Sequence, residues 1–235
     1  MQDRAVRTRR AILVAAAKVF EERGYQAATI AEILQAGNVT KGALYFHFAT
    51  KEDLVDGVLS AQDAQPALPA RDCKLQELVD MTMVQAYRLR TDCMVRAGAR
   101  LSLDQRLGDA KRTGPFKRWI RVCEEMLEAA RRQGELLPHV VPADSAVLLV
   151  GAFAGVQATS QTLSGYEDLM PRVSVLLRHV LPSVAQPSVL TSIDLSEERG
   201  ERVYKEALAS WDQPDGFPVE AISDSCDPRV VAEPK

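Results

Sequence analysis

TIAEILQAGNVTKGALYFHFATK, residues 29–51, is the stretch from which the rest of this 235-residue chain is read. Ile30, Ile33 and Leu34 recur at helical spacing behind Thr29, a residue type that caps helix N-termini. Gly37 and Asn38 break the run, and Thr40 caps a second, brief helix from Lys41 to about His47. The pattern is helix, short turn, helix. Leu44 and Phe48 suit a core, whereas Lys41, Tyr45 and His47 together do not, because each polar head would need a buried partner.

A helix-turn-helix offers the N-terminal part of its second helix to the DNA major groove, and Thr40, Lys41 and Gly42 fall at that part. Lys41 can donate to guanine O6 and N7. The Tyr45 ring can touch a thymine methyl or place its hydroxyl on a phosphate. Gly42 permits close backbone approach, and Phe46 and His47 complete the face.

Charge is distributed to match. Residues 1–47 hold seven Lys/Arg against four acids, a balance of +3, while the whole chain is -3, which leaves -6 for the remainder. Only the N-terminal part is electrostatically suited to DNA. With 46% apolar residues the chain can bury a sizeable core. The opening MQDRAVRTRR lacks the apolar run of a secretory signal, and no apolar run reaches the roughly 18 residues of a membrane span. These features predict a cytoplasmic protein with no membrane partner. Cys73, Cys93, Cys123 and Cys226 are spaced for neither zinc nor a redox pair, so buried thiols are expected and no metal or cofactor.

Taken in order, Arg4, Arg7, Arg9 and Arg10 precede or begin a helix with Ile12, Ala16, Val19 and Phe20 as its buried stripe, which Gly24 ends. Beside a helix-turn-helix, Arg7 and Arg10 are read as phosphate or minor-groove contacts. Thr50 with Asp53 forms a capping box for the next helix, to about Gln62, and seats Lys51 beside helix-terminal amides suited to a phosphate. The set read as DNA-binding is thus Arg7, Arg10, Thr29, Thr40, Lys41, Gly42, Tyr45, Phe46, His47 and Lys51. PALPARDC marks a linker. Helical periods follow through Leu75–Met83 and Met94–Leu101, then a long helix from Phe116 to Gln133 stopped by Gly134. Asp144–Leu163 is apolar almost all round, with Gly151, Gly155 and Ala158 as a small-residue stripe; it fits either the centre of a monomer or a subunit interface. Tyr166–Leu181 repeats the theme, and Asp194 with Glu197 caps a last helix through Trp211. Residues 212–235, rich in proline and acid, read as a disordered tail.

Val39-Thr40-Lys41-Gly42-Ala43-Leu44-Tyr45-Phe46-His47-Phe48, followed by Lys51-Glu52-Asp53-Leu54, resembles the recognition helix and connecting helix of the TetR family of bacterial repressors. TKGALYFHF, with FEERGY ahead of it, is most similar to that family's γ-butyrolactone autoregulator receptors. The resemblance covers roughly Arg4 to Leu59 and implies an all-α protein. A three-helix helix-turn-helix domain (1–50) would be followed by a larger helical ligand-binding and dimerisation domain (51–211). It also implies a homodimer, through the helices at Asp144–Leu163 and Tyr166–Leu181, on a near-palindromic double-stranded operator. A γ-butyrolactone or butenolide signal would release that dimer, as in quorum sensing and control of antibiotic biosynthesis. Trp119 matches a tryptophan of the receptor branch, although on its own it reads equally as a core residue. Gln62, Gln85, Gln157 and Thr159 can orient a ligand, with Val150 and Phe153 as wall.

Two other functions compete. An antibiotic or other amphiphile as inducer needs the same apolar pocket. An enzyme on a helical scaffold is disfavoured, because no nucleophile elbow, phosphate loop or metal-spaced His/Cys set occurs and His47, His139 and His179 lie far apart.

Overall fold

The computed structural model describes residues 2–63 and 66–211, and the tail read as disordered lies outside them. Among the described residues the regular elements are helices, joined by loops, with an isolated bridge between Leu136 and Ala185. Two compact units emerge. Unit 1 takes residues 2–63 and 91–115, and unit 2 takes 66–90 and 116–211.

Unit 1 contains α1 (Gln2–Ala27), α2 (Ile30–Gly37), α3 (Lys41–His47), α4 (Lys51–Asp63) and α6 (Cys93–Ser102). Gly24, at φ 75° and ψ 173°, breaks α1 where a C-terminal cap was expected. Ile12, Ala16, Val19 and Phe20 are buried with Ile33, Leu44, Phe48, Leu54 and Val58, and α6 joins this core through Met94, Ala97 and Leu101. At Gly57 a Cβ would meet the Leu13 Cδ2 at 2.6 Å, so glycine is what lets α4 close on α1. Unit 1 therefore extends well past residue 50.

Unit 2 is built on α5 (Lys74–Thr91), buried on nearly every face, with the body of α7 (Asp109–Arg132), α8 (Pro142–Ser164), α9 (Leu169–Val180), the short α10 (Pro187–Leu190) and α11 (Arg199–Ala209). Helix α7 begins seven residues earlier than the sequence predicts and passes through Gly114-Pro115. A proline costs a helix one backbone donor but does not always end it. Tyr166 adopts a positive φ of 74° in the turn before α9 rather than its first turn. The expected box of Asp194 and Glu197 does not form, since Asp194 is drawn into ion pairs instead.

Those ion pairs centre on Asp80, fully buried on α5. Its carboxylate accepts from Arg71 Nε at 2.8 Å, Arg199 Nε and Nη2 at 2.7 Å each, and Gln76 Nε2 at 2.7 Å. Arg71 continues to Glu206 at 2.7 Å, and Arg199 to Asp194 at 3.2 Å. A buried carboxylate so surrounded is stable only as a set, because removing one partner strands a charge. The set fastens α11 to α5, and at Gly200 a Cβ would lie 2.4 Å from the Met83 carbonyl. Cys123 is a buried free thiol, pushed up to about 12 by desolvation, and Cys73 is a half-buried one.

Candidate nucleic-acid interface

The turn between α2 and α3 is set by local chemistry. Thr29 and Glu32 form a reciprocal capping box, Asn38 takes the left-handed conformation at φ 46°, and Thr40 Oγ1 accepts the Ala43 N–H at 3.2 Å. Leu44 and Phe48 turn into the core while Thr40, Lys41, Gly42, Tyr45 and Phe46 share the exposed side of α3. Phe46 is 80% exposed. Its ring meets His47 edge-on, centroids 5.0 Å apart, and the Lys41 ammonium lies 5.9 Å from the Tyr45 ring centroid. The face carries a cation, a phenol and an apolar ring, with no acid.

The other expected DNA contacts are more engaged within the chain. Arg7 is exposed and Arg10 half-buried. The Thr29 hydroxyl donates to Glu32 at 2.8 Å. Lys51 sends its ammonium to the carbonyls of Ala28, at 2.5 Å, and Gln26, and over the Tyr25 ring at 4.6 Å. Desolvation holds its pKa below the usual lysine range. The Asp53 carboxylate takes the Ala49 and Thr50 N–H groups at the start of α4. Lys51 thus ties α4 to the end of α1. Tyr25, pushed up to about 12 chiefly by donating to Glu52, belongs to the same tie. Sequence reasoning passed over Arg9, whose guanidinium lies 5.1 Å over Phe48; its i+39 separation gave no signal.

In unit 2, Trp119 stacks on Phe153 with centroids 6.1 Å apart and planes 15° from parallel. Val150 is buried one turn along α8 from Phe153, and Gln85 and Gln157 are half-buried. Thr159 is exposed and its hydroxyl donates to the Gly155 carbonyl at 2.8 Å. Gln62 lies in unit 1, buried against Gly98 of α6, where a Cβ would sit 1.5 Å from its Oε1. An apolar cleft of about 20 Å³ runs among Leu78, Leu127, Leu149, Leu177 and Leu181, with Ser145 on its wall. Leu78, Leu127 and Leu177 fall within the stretches whose helical period the sequence shows, but periodicity does not separate a filled core from a cleft.

Helix α8 is long and apolar enough to cross a membrane by length and composition, where the sequence reading found no such run. Its Gly, Ala, Ser and Thr residues interrupt the apolar string while barely lowering mean hydropathy, which is 1.3 over 18 residues. Ala146, Leu149, Val150 and Phe153 are buried, while Val147, Leu148 (60% exposed), Gly151, Gly155, Ala158 and Leu163 (69%) form an outward stripe.

Residues 12–58, which hold this turn and its supporting helices, match the model for bacterial regulatory proteins of the tetR family. The A-factor receptor protein of Streptomyces griseus is 40% identical over 212 residues, spanning 87% of this chain and 76% of that protein. The chain belongs to the TetR family of bacterial regulatory proteins. Among solved structures, TylP, a TetR regulator from Streptomyces fradiae, superposes with a TM-score of 0.77 at 44% identity, covering 87% of this chain and 99% of TylP. A γ-butyrolactone receptor, an ArpA-like protein, gives 0.68 at 28% identity, with 87% and 99% covered. These TetR relatives match both units, not the helix-turn-helix alone.

Proposed function

We propose that this TetR-family regulator is a dimeric repressor that leaves its operator when a γ-butyrolactone or butenolide signal binds unit 2. The observation that carries this reading is the likeness to the A-factor receptor, which runs through unit 2 as well as unit 1. Residues 1–50 read the DNA, residues 51–211 bind the ligand and the second copy, and the protein works in the cytoplasm, on the nucleoid when bound.

Each subunit lays α3 in the major groove, and two copies address half-sites about 34–36 Å apart, which makes the operator near-palindromic. Lys41, Tyr45 and Phe46 face base edges. Arg7, Arg10, Thr29, Thr40, Gly42, His47 and Lys51 complete the DNA-facing set, the longer cations holding phosphates. The copies meet through the outward stripe of α8, whose small residues allow close helix approach.

The signal enters unit 2 between α7 and α8 against Trp119 and Phe153, with Val150 as wall and Gln85, Gln157 and Thr159 as orienting groups; Gln62, which belongs to unit 1, is not assigned to this site. A ligand that binds a DNA-incompetent arrangement of unit 2 more tightly shifts the protein away from its DNA-competent form. A coupling of about 1–3 kcal/mol suffices.

The test is fluorescence polarisation of the full-length chain on a labelled palindromic promoter fragment. It is titrated with γ-butyrolactones, butenolides and antibiotics. Lactones or butenolides should weaken binding at least fivefold, and Trp119→Ala should bind the fragment normally yet resist release. Release by antibiotics alone would replace the signal class, and absence of binding at low ionic strength would end the repressor reading.

A further inference from the structure

Phe46 has no hydrogen-bonding group, so it can neither hold a phosphate nor read a donor or acceptor on a base edge. It is nonetheless the most exposed large apolar side chain among the described residues. The edge-on contact with His47 restricts the ring. Gly42 lies one helical turn before it, on the same exposed face. A Cβ on Gly42 would meet nothing within 4 Å, and its φ is not in the left-handed region. Nothing inside the protein calls for glycine there, and a glycine within a helix costs about 0.5–1 kcal/mol relative to alanine. Ring and glycine together leave an open apolar notch on the exposed face of α3.

The apolar feature that base edges present in the major groove is the C5 methyl of thymine. We infer that the Phe46 ring and the bare Gly42 backbone form a thymine-methyl reader, fixing one T·A pair in each half-site of the operator. This deepens the repressor reading and rests on it. Lys41 and Tyr45 act beside the notch through hydrogen bonds, so the methyl contact adds specificity without adding to the salt dependence that phosphate contacts produce.

The experiment begins with selection of a duplex from a randomised 30-base-pair pool by the full-length chain. Each thymine of the selected duplex is then replaced by deoxyuridine, which removes the methyl and nothing else. At one symmetric position the wild type should lose roughly fourfold in affinity per half-site, or about fifteenfold for both. Phe46→Ala should bind the thymine and deoxyuridine duplexes equally, and Gly42→Ala, which fills the notch, should lose more affinity for the thymine duplex than for the other. Phe46→Leu, retaining an apolar end, should keep part of the discrimination. The inference is overturned if no deoxyuridine weakens the wild type, or if Phe46→Ala remains as sensitive as the wild type; in either case the repressor reading stands. Failure to select any sequence would remove that reading, and this one with it.

Discussion

Helices α3 and α8 both turn apolar side chains outward and both carry glycines whose added Cβ would touch nothing within 4 Å, Gly42 on one and Gly151 and Gly155 on the other. They differ in what surrounds those residues. The exposed side of α3, seven residues long, mixes Lys41 and Tyr45 with Phe46, whereas α8 has no charged residue from Ser145 to Ser164. A mixed basic and aromatic face matches a polyanion that also offers apolar base edges. An uncharged stripe of small and branched residues matches another protein surface, where a desolvated charge would be costly. Exposure of apolar area is common to both; the charge beside it is what differs.

The largest effect should come from spoiling the α8 stripe. Leu148→Glu puts a carboxylate in its centre and should give monomers in light scattering. Because linked half-sites bind more tightly than one alone by about 10²–10⁴-fold, operator affinity should drop by at least a hundredfold while unit 1 keeps its helicity. A dimer of normal affinity would remove α8 from the interface.

The glycines sharpen the comparison at smaller scale. Gly57→Ala forces a methyl onto Leu13 and Phe48 and should lower unfolding free energy by about 1–3 kcal/mol. Gly42→Ala should raise it by about 0.5–1 kcal/mol while weakening operator binding. Chemical denaturation of both variants separates a glycine needed inside from one needed outside. Should Gly42→Ala prove destabilising, its role would be internal.

The smallest effect is acid sensitivity of unit 2. Asp194 sits lowered to about 2: burial raises its pKa, but the Ser196 N–H and the guanidinium groups of Arg202 and Arg199 outweigh that. A carboxyl whose folded pKa is depressed contributes stability above its unfolded pKa and loses it as pH falls through the folded value. Unit 2 should weaken between about pH 4 and pH 2. Both tryptophans, Trp119 and Trp211, lie in unit 2, so their fluorescence during thermal unfolding checks this directly. A midpoint flat across that window would mean Asp194 contributes nothing net.

The helix-turn-helix was legible because its signals are local. The caps at Thr29 and Thr40 and the break at Asn38 are where the sequence placed them, and Glu32 and Ala43, three residues on, supply the partners of the two threonines. Other boundaries misled because local chemistry was overridden. Asp194 looked like a cap three residues from Glu197, but Arg199 and Arg202 hold it. The contact of the Lys51 ammonium with the Ala28 carbonyl, 23 residues away, likewise had no local signal.

What sequence alone determined is the reading head, the all-helical class and the family, since caps, turn residues and the TKGALYFHF run are contiguous and need no partner from afar. Tertiary structure decided which stripe of α8 faces outward, that α6 completes the core of unit 1, and that Asp80 is neutralised by Arg71 and by Arg199, 119 residues distant. The physical reason is burial. Which side chains lose water depends on long-range packing, and a hydrophobic period gives the face of a helix but not the neighbour that covers it.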